Sequence, residues 1–97
     1  MIKHIVTFKL KGTADERRQV ATRFAEALNA LPAVIDQLKS IETGVNINDK
    51  EEWDVVLTAT ADSMADVAAY SAHPAHLAAV AIIADHREAR ACVDYEI

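Results

Sequence analysis

Covalent and local devices that often fix small folds are scarce in this sequence. Its 97 residues include one cysteine, two glycines, two prolines and five aromatics. A single thiol, Cys92, forms no internal disulfide, so packing must hold the chain together, and a reduced, cytoplasmic setting is the simplest expectation. So little glycine and proline excludes collagenous and low-complexity chains. Basic residues are outnumbered, 10 Lys and Arg against 15 Asp and Glu, for a net charge of −5. That balance argues against a general nucleic-acid binder, which needs Lys and Arg opposite phosphates, and reads as a solubility feature. The longest apolar run, Leu77 to Ala84, is far short of the roughly 20 residues of a membrane helix, so no membrane partner is expected. Met1-Ile2-Lys3-His4 lacks a signal-peptide layout because Lys3 and His4 interrupt the apolar stretch. GxGxxG, P-loop, GxSxG and HExxH are all missing, and no acidic cluster at suitable spacing supports a cation near His73, so neither cofactor nor metal is expected.

What is present fits one domain over residues 1–97 with a modest core. Hydrophobic residues reach 52%, but 19 of the 97 are alanine. Ile2 to Lys11 alternates, with Ile2, His4, Val6, Phe8 and Leu10 on one side and Lys3, Ile5, Thr7 and Lys9 on the other, which is a strand that Gly12 ends. Thr13 with Glu16 three residues on has capping-box spacing. Val20, Phe24, Ala27, Leu28 and Leu31 then recur at helical period, with Arg17, Arg18, Arg23 and Glu26 on the wet side, until Pro32. Pro32 breaks the helix or starts a short second piece to about Lys39. Ile41, Thr43, Val45 and Ile47 make a weaker strand, paired as a hairpin with the β-rich run Trp53 to Thr60 across the polar turn at 48–52. Ser63 and Asp66 mark another helix, which runs towards His73 and restarts at Pro74. Leu77 to His86 continues helical, and Ala91 to Ile97 alternates as a last strand.

Strand, helix, strand, strand, helix, strand is the ferredoxin-like βαββαβ order, an α+β fold with both helices on one face of a four-stranded antiparallel sheet. Ile5 and Val56 show that the other face is not fully polar. A second copy packed sheet to sheet would cover it, making a homodimer, and the space between could hold a small ligand.

Chemistry falls to the histidines and a tyrosine. In Tyr70-Ser71-Ala72-His73-Pro74-Ala75-His76, the two imidazoles are three residues apart, a spacing that shares a helix face. His73 equally suits a cap before Pro74, and His76 a satisfied, partly buried histidine. His4 interrupts an apolar strand face. It is either a core residue with one hydrogen bond or the polar group of a cavity, and the pattern leaves open whether that face meets the helices or the space between subunits. Tyr70 is a core aromatic or a phenol aimed into the cavity. Trp53 reads as packing or interface before ligand platform, and Cys92 as a buried structural thiol.

The opening Met1-Ile2-Lys3-His4-Ile5-Val6-Thr7-Phe8-Lys9-Leu10-Lys11, with Trp53-Asp54-Val55-Val56-Leu57, the Tyr70 to His76 block and Val93-Asp94-Tyr95-Glu96, resembles the stress-responsive dimeric α/β-barrel (Dabb) family. The resemblance spans essentially the whole chain. It implies a ferredoxin-like protomer, a homodimer with a barrel-like assembly, and a cavity that His4 faces. A plant polyketide cyclase of the family closes a ring by aldol chemistry without a cofactor. Its acting tyrosine and histidine match Tyr70 and His76, and its first-strand cavity histidine matches His4. Where it has a further cavity histidine, this chain has Val55.

The resemblance thus implies a catalytic set of His4, Tyr70 and His76, with Val6, Phe8, Trp53, Val55, Leu57 and His73 around a small hydrophobic or carbonyl ligand. His76 would take a proton from carbon next to a carbonyl, and Tyr70 would donate to the developing enolate oxygen. The alternatives are a non-catalytic stress-responsive binding or accessory dimer, and a cofactor-independent monooxygenase. Enzyme and binder part on convergence: Tyr70 and His76 must reach one shared ligand atom.

Overall fold

The structure is a computed structural model that describes residues 1–97. Four strands form one antiparallel sheet in the order β2-β3-β1-β4. They are β1 (Ile2–Leu10), β2 (Ser40–Val45), β3 (Val55–Ala61) and β4 (Arg87–Glu96). Helices α1 (Ala14–Asn29), α2 (Met64–Ala72) and α3 (Pro74–Ala81) all lie on one face. This is the α+β, ferredoxin-like architecture, with the second helical layer split in two at Pro74.

Local chemistry explains the element boundaries. Gly12, at a φ of +118° that L residues rarely adopt, turns the chain out of β1. Thr13 Oγ1 then accepts from the Glu16 amide at 3.2 Å and starts α1, and Ser63 Oγ accepts from the Asp66 amide at 3.1 Å and starts α2. Proline at the first position of α3 loses no helical hydrogen bond, because that amide would have no intrahelical acceptor.

The core forms where α1 and α3 meet the alternating positions of β1 and β3. Val6, Phe8 and Leu10 are buried with Val55, Leu57 and Ala59, and the register pairs Phe8 with Val55 and Val6 with Leu57. Phe24, fully buried on α1, sits edge-on to Phe8 at 5.3 Å. The opposite sheet face, with Lys3, Ile5 and Thr7 beside Val56, Ala91, Val93 and Tyr95, has no helix over it, and Val93 is 62% exposed.

Several expected boundaries move. The piece after Pro32 is one 3₁₀ turn, Leu31–Ala33. Ile47 lies beyond β2 and is 97% exposed, because the chain there leaves the ladder for a turn organised by Asn46, whose amide donates to the Trp53 carbonyl. The helix after Pro74 ends at Ala81, and β4 begins at Arg87, four residues earlier than the alternation indicates. A register shift opposite Lys9 and Leu10 breaks the period there. Arg17 is not simply on the wet side: its Nε donates to Asp54 Oδ1 at 3.2 Å and its Nη1 to the Gly12 carbonyl at 2.8 Å.

Candidate functional site

His4 faces the helices. Strand alternation puts it on the same side as Val6 and Phe8, and it is 5% exposed, the one polar residue among the buried set. The space beside it is therefore inside the protomer, between α2–α3 and the sheet, and not between two sheets. A cavity of about 140 Å³ opens there, walled by His4, Val6, Phe8 and Leu57 from the sheet and by Ser71, His76, Leu77 and Val80 from the helices, with Arg87 and Arg90 of β4.

His76 reaches this wall because α2 stops at Ala72 and α3 restarts at Pro74. Its Nδ1 donates to the Ser71 carbonyl at 2.9 Å, a bond that only an N–H can make to a carbonyl. That leaves Nε2 as the acceptor. Burial, together with the positive charge of neighbouring groups, holds His76 below the ordinary 6.5, so it is neutral near pH 7, although the Ser71 bond partly opposes this.

Tyr70 lies just behind the cavity wall. Its ring centroid is 4.5 Å from that of His76 and 6.1 Å from that of His4. The hydroxyl is buried and has no hydrogen-bond partner. Removal from water pushes the phenol up to about 12, so it remains protonated and can donate.

His4 has a partner that the reading of the sequence missed. Asp94 lies directly across the β1–β4 ladder, and its Oδ1 is 2.5 Å from His4 Nδ1. A carboxylate accepts, so Nδ1 carries the proton and Nε2 is left free. A charge-assisted bond of this kind fixes both ring orientation and tautomer. Cys92, two residues earlier on the same face, places Sγ 3.6 Å from His4 Nδ1 and 3.7 Å from Asp94 Oδ2. Burial is the first cause that raises its thiol above the usual range, and Asp94 adds to it. Cys92 is half-buried and packs against the edge of the core.

His4, Cys92 and Asp94 together offer three possible metal ligands within 4.8 Å of one another. The two sulfur separations suit a tetrahedral ion, whose ligand atoms lie about 3.3–3.6 Å apart. The 2.5 Å nitrogen–oxygen contact does not, because two ligand atoms on one ion stand farther apart than that, and it is the spacing of a short hydrogen bond. As arranged, the trio is a hydrogen-bonded cluster.

Three of the expected pocket residues stand elsewhere. His73 is the N-cap of α3, where its Nδ1 accepts from the Ala75 amide at 3.0 Å, which turns the ring into the helix end. Trp53 precedes β3 and borders a separate, wider hollow with Gly44, Ile47 and Val56, a shape without any histidine or tyrosine. Val55 packs opposite Phe8 in the core and edges that same hollow. Arg87 and Arg90, both at the cavity, had no signal in the sequence because their stretch does not alternate cleanly.

A family model described as Stress Responsive A/B Barrel Domain, Dabb, matches residues 2–97. The uncharacterized protein SCO4036 of Streptomyces coelicolor is 36% identical over 85 residues, 84% of this chain and 86% of that one. A dimeric protein of unknown function and ferredoxin-like fold from Bacteroides fragilis superposes with a TM-score of 0.95 at 45% identity, covering 99% of this chain and 95% of its own. A dimeric ferredoxin-like protein from Thermobifida fusca does so at 0.78 and 34%, covering 99% and 90%. No helix is long and apolar enough to cross a membrane.

Proposed function

The chain belongs to the stress responsive A/B barrel domain family, and from that membership and the geometry of its cavity we propose that it works as a homodimer whose protomers each bind a small hydrophobic or carbonyl compound and catalyse cofactor-free proton transfer at carbon. The observation that carries this reading is convergence. His4 and His76, far apart in sequence, line one small cavity, and the Tyr70 ring lies beside both imidazoles just outside that lining, its buried hydroxyl without a partner. An unpaired buried donor is costly, and we take the acceptor that it lacks to be a ligand oxygen.

In this mechanism His76 Nε2 accepts a proton from the carbon next to a carbonyl. The electron pair moves onto the carbonyl oxygen, and the Tyr70 hydroxyl donates to that oxygen as negative charge develops. His4, held by Asp94, orients the substrate or water through Nε2. The apolar walls and the partial burial of His76 keep its imidazole neutral. General-base catalysis of this kind contributes about 10²–10⁴-fold.

The dimer reading rests on the uncovered sheet face and on the dimeric neighbours. Two such faces together would bury more than about 1,000 Å², the usual floor for a specific interface. Light scattering should give twice the 10.6 kDa of one chain, and Val93→Glu should give a folded monomer. A wild-type monomer at micromolar concentration refutes the dimer.

Deuterium incorporation at the methyl group of acetophenone, followed by NMR in D₂O, tests the chemistry. Exchange above buffer rate that His76→Ala abolishes is the expected result. Binding without exchange would favour the non-catalytic dimer.

A further inference from the structure

Arg87 and Arg90 border the cavity, and neither has an acidic partner. The ion pairs of the chain use His4, Lys9, Arg17 and Lys39. In a chain with 15 acidic and 10 basic residues, acidic partners are not in short supply. Both residues are exposed on the edge strand β4, but they do not leave it on the uncovered face. Phe8 pairs with Arg90 and Leu10 with Arg87 across the ladder, so both arginines leave β4 on the helix-covered face. The Arg87 guanidinium carbon lies 5.8 Å from the centre of the buried Phe8 ring. The charge of Arg90 reaches Tyr70, His76 and Cys92, favouring the deprotonated form of each.

The rest of the cavity sets the size and polarity of what fits. Val6, Phe8, Leu57, Leu77 and Val80 make an apolar wall. Its volume of about 140 Å³ is close to the roughly 150 Å³ of an apolar protein cavity known to accept benzene. The cavity thus combines room for a ring-sized apolar body with two positive charges that have no ion-pair partner. Guanidinium groups bind planar oxyanions through paired N–H donors, with more directionality than lysine offers.

We propose that the cavity selects small organic anions: a carboxylate held by Arg87 and Arg90, carried on an apolar body about the size of a benzene ring. This rests on the cavity being a ligand site, as argued above, and adds the charge of its ligand. A ligand anchored there would lie beside His76, which lines the same cavity. Productive ligands would then carry the carboxylate and the reacting carbonyl on the same small frame.

Calorimetric titration with benzoate and its neutral isostere benzamide, at low and high salt, reads this directly. Wild-type protein should bind benzoate at least about tenfold more tightly than benzamide, the scale of one charge-assisted hydrogen bond. High salt should narrow the gap. The double variant Arg87→Gln, Arg90→Gln should bind the two probes alike, with its fold checked by circular dichroism. Arg18→Gln, Arg23→Gln on the exposed side of α1 makes the same change in net charge and should keep the preference. Equal binding of both probes by wild-type protein overturns the proposal, as does a preference that survives loss of Arg87 and Arg90. Exchange of acetophenone without any preference for benzoate removes the anion proposal alone. No binding of either probe, together with no exchange, removes both readings.

Discussion

Replacing Tyr70 with phenylalanine should make the ligand-free protein more stable and less active. The side chain is 2% exposed, and its buried oxygen has no partner. On mutational scales an unpaired buried hydroxyl costs about 1–3 kcal/mol. Phenylalanine keeps the ring and hence the contacts to His4 and His76, and the space it leaves is one oxygen atom. Lost dispersion at that atom offsets a few tenths of a kcal/mol, leaving a gain of about 1–2 kcal/mol. In a domain of this size each kcal/mol moves Tm by about 4–8 °C. Urea denaturation at a fixed protomer concentration is the cleaner measurement, because association couples to unfolding. The midpoint should rise with the slope unchanged. In the same preparation, proton exchange should fall by about 10²–10³, the effect of removing one donor from a developing oxyanion. A variant destabilised by 1 kcal/mol or more would refute the reasoning, since the hydroxyl would then be holding the fold and not awaiting an acceptor.

Phe24→Ala should cost about 3–5 kcal/mol, because it empties a fully buried site against Phe8, whereas Arg18→Ala on the exposed face should stay within about 0.5 kcal/mol; equal urea midpoints would mean that the buried face of α1 is misassigned. Asp94→Asn should remove a charge-assisted bond worth about 1.5–3 kcal/mol and free His4 to change tautomer, a change visible in its imidazole ¹⁵N shifts; an unchanged spectrum counts against the pairing. His76 is held below 6.5 in the folded protein, so the unfolded chain takes up its proton first as pH falls. Its contribution to stability is whole above about 6.5 and is lost as pH drops through the lower folded value. The acid limb of exchange should therefore lie below pH 6.5, and a midpoint above it would contradict neutral burial.

Much of the fold was legible residue by residue. The alternation of Ile2 to Leu10, the Thr13 and Ser63 caps, the stripe through Val20, Phe24 and Leu28, and Pro74 as a helix start all act within a turn or two of chain, the range over which periodicity and capping operate. Their order implied the ferredoxin-like sheet, and the motif blocks carried the family. The sequence by itself also singled out His4 as a polar residue on an apolar strand face. Which side that face meets was a tertiary matter, because covering one face of the sheet with helices leaves the local pattern unchanged. The same holds for Asp94, Arg87 and Arg90. They reach the site through the β1–β4 register, which joins residues about 80–90 positions apart, and a slip of one residue would turn them to the other face. His73 and Trp53 went the other way, for a similar reason. A cap and a strand entry look like site residues when judged by type and spacing, and only packing shows that their rings lie elsewhere. Local periodicity thus decided which elements form, and long-range pairing decided which side chains share the cavity.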